Sequence, residues 1–164
     1  MGQWQYFLKV LAYTFTLFLV QAIWVSRLPF PALRGDLLLP VMFGVAVEWS
    51  TPSGLLWALF WGYAADVFSG EFWGFHVGSY LVAICLVNMT AERFEFENPL
   101  YQAAFIGVCA LGQSVALGFF FLLAPLETIS AASTWMQLAI RSFFMSIFAP
   151  LIIYPIWSGR RGRR

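Results

Sequence analysis

Six apolar runs occupy most of this chain: Tyr6–Val25, Leu37–Trp49, Pro52–Phe68, Phe72–Met89, Leu100–Ala124 and Trp135–Trp157. A bilayer core of about 30 Å takes roughly 20 helical residues to cross. The second run is short for that. It is expected to begin earlier, near Phe30, or to use the Pro40 break and sit tilted or partly re-entrant. Composition agrees: 61% of residues are hydrophobic and 10% charged, with a mean hydropathy of +0.77. A soluble domain is about 45–50% apolar and about 25% charged. Roughly a third of the surface stays outside even in a well-packed soluble fold, so a fold of this size in water would expose too much apolar side chain. Its solvent is lipid. The expected architecture is all-α: one polytopic membrane domain over residues 1–164, six transmembrane helices in a compact bundle, with spans near 6–25, 30–49, 52–68, 72–89, 100–124 and 135–157.

The turns between the second, third and fourth runs are a few residues long, which makes those helices antiparallel neighbours. Longer polar loops stand at RLPFPALRGD (27–36), ERFEFENP (92–99) and PLETISAAS (125–133). Lys and Arg set the orientation. Six spans with both termini inside leave Lys9, Arg93 and the tail SGRRGRR in the cytoplasm, with Arg27 and Arg34 outside and Arg141 just within the last span. The tail reads as a topology anchor that also touches anionic lipid rather than as a nucleic-acid arm. The first run, with a single Lys and no small-residue cleavage site, is expected to be a retained span rather than a signal peptide.

Several function classes are excluded or weakened. Nothing matches a phosphate-binding Walker loop, a dinucleotide fingerprint or a Cys/His metal cluster, which rules out transport driven by ATP hydrolysis in this chain; no cofactor or metal is expected. Cys85 and Cys109 lie in apolar runs and read as buried packing thiols.

Polar residues concentrate at DVFSGEFWGFHVG (66–78), between the third and fourth runs. Ser69 and His76 raise the question of an intramembrane serine hydrolase. That chemistry needs hydroxyl and imidazole in hydrogen-bond reach plus an oxyanion hole, and a seven-residue helical separation is about 10 Å. Ser69 is better read as the cap of the fourth helix, followed by Gly70 in the turn. Gly70, Gly74 and Gly78 recur every four residues, as do Ala110, Ser114 and Gly118, and Gly54, Ala58 and Gly62. Such small-residue ridges permit close helix approach in lipid, here mainly within the fold, with a foreign helix on one of them a further option.

Asp66 and Arg141 are the ionisable groups hardest to place in loops. A helix C-terminus disfavours an anion, so Asp66 calls for a nearby cation or donor. Arg141 is the expected partner, reaching the outer interface by snorkelling; Arg34 and the Ser69 hydroxyl are the other candidates. Trp4, Trp24, Trp49, Trp73, Trp135 and Trp157 fall at span ends, as an interfacial belt would. Trp57 and Trp61 lie deeper, read either as cavity walls or, more commonly, as lipid-facing packing.

GDLLLPVMFGVAVEW (35–49), PSGLLWALFWGYAADVFSGEFWGFHVGSYLVA (52–83) and the loop ERFEFENPLYQ (92–102) together resemble the rod shape-determining MreD family of bacteria. The D-x-x-S-G-x-x-x-G pattern places Asp66, Ser69, Gly70 and Gly74 in register, and the likeness extends over nearly the whole chain. Gly35, where the family often has Pro, and His76 depart from the pattern. The resemblance implies a non-enzymatic inner-membrane subunit of the cell-elongation machinery, partnered by MreC and working with the MreB filament, RodA and its transpeptidase. It implies a partner-binding or helix-packing role for Asp66, Ser69, Gly70 and Gly74, to which the four-residue spacing adds Gly78 and the cost of a charge in a span adds Arg141. It also implies a fold similar to the six-helix substrate-binding subunits of energy-coupling-factor vitamin transporters. That similarity supplies the alternative, a small-ligand binding subunit, for which Asp36, Asp66, Glu71, His76 and Arg141 would be the outward polar groups. A lipid-modifying enzyme or flippase is a poorer fit, since no acidic cluster suits a metal.

Overall fold

A computed structural model describes residues 3–29, 35–69, 73–90, 98–123 and 131–157. The described residues form six α-helices: α1 (Gln3–Ile23), α2 (Leu38–Glu48), α3 (Thr51–Ser69), α4 (Phe75–Thr90), α5 (Pro99–Leu123) and α6 (Ala131–Trp157), with a 3-10 turn at Val25–Arg27 after α1. The stretches Trp4–Ile23, Pro99–Phe119 and Trp135–Ile156 are long and apolar enough to cross a membrane, whereas Leu38–Glu48 and Phe75–Thr90 are shorter apolar helices. The protein is thus an all-helical membrane protein whose helices match the six runs in number but not in length.

α2 departs furthest from expectation. It starts at Leu38 and has 11 residues, about 16 Å of helix; the stretch from Phe30 to Arg34, where an earlier start was expected, lies outside the described residues. Pro40 does not break the helix. It stands in the first turn, where the missing N–H has no intrahelical acceptor to lose. Every residue from Leu38 to Ala46 is buried. α2 contacts all five other helices and is the central post of the bundle.

The remaining helices pair around it. α3 and α4 form one close antiparallel pair and α5 and α6 another. Two of the three small-residue ridges make these seams. A Cβ on Gly62 would stand 2.7 Å from the Val77 Cα, so α3 and α4 approach backbone to backbone there. On α5, a Cβ on Gly118 would meet the Trp135 ring at 2.8 Å, and Ser114 and Ser142 share a hydrogen bond of 3.0 Å. Buried serine pairs of this kind join helices where hydrocarbon supplies no competing partner. The third ridge behaves otherwise: a Cβ on Gly74 or Gly78 would have nothing within 4 Å, and Gly70 lies outside the described residues. Neither Gly74 nor Gly78 packs a helix inside this fold.

α1 joins the bundle through aromatic contacts and a long-range hydrogen bond. The Tyr13 hydroxyl donates to the Ile152 carbonyl at 2.8 Å, in the part of α6 that carries Pro150 and Pro155. Trp57 and Trp61 are buried rather than lipid-facing. They form an aromatic cluster with Trp49, Phe7 and Phe18, edge to face for Trp49–Trp57 at a centroid separation of 5.1 Å and tilted for Phe18–Trp61 at 5.5 Å. Trp4, Trp24 and Trp73 are exposed at helix ends, as an interfacial belt requires. Cys85 is exposed on α4, against expectation, and Cys109 is half-buried; both are free thiols.

Candidate functional site

The chemistry-bearing residues gather at the end of the bundle where α2 and α4 begin and α3 ends. Two buried carboxylates organise them. Asp66 stands in the last turn of α3. Its Oδ1 accepts the His76 backbone N–H at 2.8 Å and faces His76 Nδ1 at 2.9 Å. Its Oδ2 accepts the N–H groups of Gly74 at 3.0 Å and Val77 at 3.3 Å. A carboxylate on the C-terminal turn of one helix thereby caps the N-terminus of the next, where orphan N–H donors and the helix dipole favour an anion. The electrostatic difficulty of an acid at the end of α3 is resolved by α4.

Three expectations about this hinge change. Among the described residues, the partners of the Asp66 carboxylate all lie on α4 or just before it, and Arg141 is not one of them; Arg34 lies outside the described residues. Ser69 is not the cap of α4. It is the last residue of α3, and its hydroxyl donates to the Asp66 carbonyl at 3.3 Å. The hydroxyl and the His76 imidazole each bond to Asp66 rather than to one another. Gly74 is a conformational residue: its φ of +85° lies in the left-handed region, and its carbonyl accepts the first helical bond of α4 from Gly78 at 2.9 Å. Gly70 and Glu71 fall outside the described residues.

Asp36 is the second hub and is 1% exposed. Its Oδ1 accepts the Leu38 N–H at 3.1 Å, capping α2. The Tyr80 hydroxyl lies 2.8 Å from both carboxylate oxygens, and Gln113 Nε2 donates to Oδ2 at 3.1 Å and to the Ser79 hydroxyl at 3.3 Å. This cluster ties α2, α4 and α5 together in an otherwise apolar core. The His76 and Tyr80 rings stand 6.0 Å apart, edge to face, so the two hubs adjoin along α4. Charged-group hydrogen bonds contribute about 1.5–3 kcal/mol each where their loss leaves a buried group unsatisfied.

Asp36 appeared in the sequence only as one polar group among several, and Tyr80 and Gln113 did not appear at all. A usable signal existed for Gln113. A primary amide in the middle of an apolar run is costly without a partner, and the only economical partner is another buried polar group. Tyr80 carried none, because a tyrosine in a membrane helix is equally at home at an interface.

Arg141 makes no hydrogen bond to either hub, although its charge acts on Tyr80 of the Asp36 cluster. It is half-buried, about 15 Å along α6 from Ala131, and no hydrogen bond or ion pair joins it to a described residue. Arg141 lines a cavity of about 230 Å³ whose other walls are apolar, among them Val25, Leu37, Phe144, Met145 and Phe148. Gly35 also borders it, where a Cβ would fall 2.2 Å from the Met145 sulfur; glycine lets that thioether close one wall. Among the described residues, no group of three or more His, Cys, Asp or Glu is placed to hold a metal ion.

Comparison with known proteins found no family model, no curated protein and no solved structure that matches this chain.

Proposed function

We propose that the chain is a non-enzymatic membrane subunit of the bacterial cell-elongation machinery, of the MreD kind. In this reading it sits in the cytoplasmic membrane with both termini inside and binds MreC directly. Together with MreC it supports RodA, its transpeptidase and the MreB filament in lateral wall synthesis. The six helices then cross as one compact bundle similar to the energy-coupling-factor binding subunits, with the α3–α4 turn on the outer face and short α2 held by its neighbours. The observation that carries the reading is the use made of Asp36 and Asp66, two acids within the stretches that bear the resemblance. Both hold helix starts in place through backbone N–H groups, as a scaffold's residues should. The test is co-purification: the detergent-extracted protein should emerge with MreC, while reporter fusions at Ser130 and Arg164 should report outside and inside respectively. Recovery without MreC from cells that contain it, or both reporters on one side, would remove the reading.

A small-ligand binding subunit is the second reading, favoured by the cavity beside Arg141. It requires that the purified protein retain a ligand and that MreC be absent.

A further inference from the structure

Arg141 poses an unsolved electrostatic problem. A guanidinium in a membrane span costs about 2.5–3.5 kcal/mol at the helix centre on insertion scales, and such groups face partners or polar cavities. Its five donors have no acceptor among the described residues. Both carboxylates in the neighbourhood accept other donors, Asp66 at the start of α4 and Asp36 from Leu38, Tyr80 and Gln113, so their charge acts on Arg141 only across space and its donors keep no direct partner among the described residues. The cavity it enters offers no other charge among its described walls.

The cavity also opens in a telling direction. Phe144 and Phe148, which form one wall, are 38% and 48% exposed, and Ile147 and Leu151 continue the same apolar outer face of α6. Val25, another lining residue, lies in the 3-10 turn directly after α1, beside the exposed Trp24. The lining therefore runs from the exposed apolar face of α6 to the interfacial end of α1. Helix side chains lean toward their own N-terminus, which brings the guanidinium nearer that interface than the Arg141 backbone is.

We propose that this cavity is a binding site for an anionic amphiphile: a lipid whose phosphate or carboxylate headgroup is held by the Arg141 guanidinium while its acyl chain lies across Phe144 and Phe148. A two-oxygen anion satisfies the guanidinium fork bidentately. The apolar path out along α6 selects a lipid over a free anion. The inference is independent of the scaffold reading, because neither the cavity nor the lack of a partner for Arg141 among the described residues depends on a partner protein.

The experiment uses the whole purified chain without partners. It is reconstituted in phosphatidylcholine nanodiscs containing phosphatidylglycerol, released, and weighed by native mass spectrometry. The wild type should retain one phosphatidylglycerol in clear preference to phosphatidylcholine. Arg141→Gln should weaken that retention about tenfold, the loss expected when one charge-assisted contact disappears. Arg141→Lys should fall between. Val25→Trp, which fills the cavity from its rim and keeps the charge, should lose the lipid too, whereas the exposed Arg27→Gln should not. Inorganic phosphate added to lipid-free protein should leave its melting temperature unchanged. Equal retention of the two lipids by the wild type overturns the proposal, as does Arg141→Gln that keeps phosphatidylglycerol fully. Stabilisation by inorganic phosphate equal to that by phosphatidylglycerol also overturns it, since the site would then take a free anion. If Arg141→Gln does not elute as a folded species, the lipid preference of the wild type and the Val25→Trp variant still decide the matter.

Discussion

The carboxylate of Asp66, on the last turn of α3, accepts the backbone N–H of His76 at 2.8 Å on the first turn of α4. One side chain therefore ends one helix and begins the next. The geometry depends on both oxygens accepting, which makes it sensitive to a single-atom change.

Asp66→Asn tests this directly. The amide nitrogen would point a donor at N–H groups that need an acceptor, and a destabilisation of about 3 kcal/mol is expected. Reversible unfolding in mixed detergent–dodecylsulfate micelles would measure it. Arg141→Ala should leave the stability of the hinge near that of the wild type, because Asp66 is held by α4. A large loss in Arg141→Ala together with a silent Asp66→Asn would mean that the acid is held differently.

The glycines separate by cause. Gly62→Ala should be the most damaging, since its Cβ would fall 2.7 Å from a backbone carbon of α4. Gly74→Ala has room but the wrong backbone, with φ at +85°, and should cost about 1–2 kcal/mol. Gly78→Ala, open to the outside of α4 and in the second turn of a helix, should be neutral or gain about 0.5–1 kcal/mol from helix propensity. Thermal melts of the three variants in one detergent would rank them, and any other order contradicts the packing described.

Tyr80→Phe removes a hydroxyl that lies 2.8 Å from both oxygens of Asp36. With the aromatic volume kept, the loss is electrostatic, about 1–3 kcal/mol for a buried carboxylate short of a donor. Tyr80→Phe with Asp36→Leu should lose less than the sum of the two singles, since the second change removes the unsatisfied acid. Strict additivity in that double-mutant cycle would show that the two groups do not interact.

Trp57 and Trp61 carry indole N–H groups that are buried without an acceptor. Replacing either with Phe removes an unsatisfied donor along with some packing area. The two effects oppose, and Trp57→Phe should change stability by less than about 1 kcal/mol, against about 3–5 for Trp57→Ala. A Phe variant as damaged as the Ala variant would reveal an acceptor for the indole.

The helix pattern was legible because lipid demands it: apolar runs broken by short polar turns leave few alternatives to a bundle. Close approach along α3 and α5 was legible too, since glycine, alanine and serine at four-residue spacing report it, but the helix that each ridge meets was not. The Gly70, Gly74, Gly78 series shows the limit. Identical spacing arises when a turn glycine and a surface glycine happen to be four apart, and sequence does not carry φ. Asp66 was readable as an acid needing a donor, but its partners were not, because backbone N–H groups have no letter in the sequence. The same holds for the cap that Asp36 makes on α2. Arg141 was singled out by cost alone; only the three-dimensional arrangement shows that the acids around it are already satisfied.

The brevity of α2 bears on how the protein reaches its final state in the membrane. Eleven residues cover about half of a hydrocarbon core, and a buried acid caps the helix at its start. Such a segment is strongly apolar but too short to cross the membrane by itself. It becomes favourable only once Tyr80 of α4 and Gln113 of α5 stand ready to receive Asp36. Burial of the Asp36 carboxylate at the central post therefore waits on α4 and α5, the later-made helices that carry its donors.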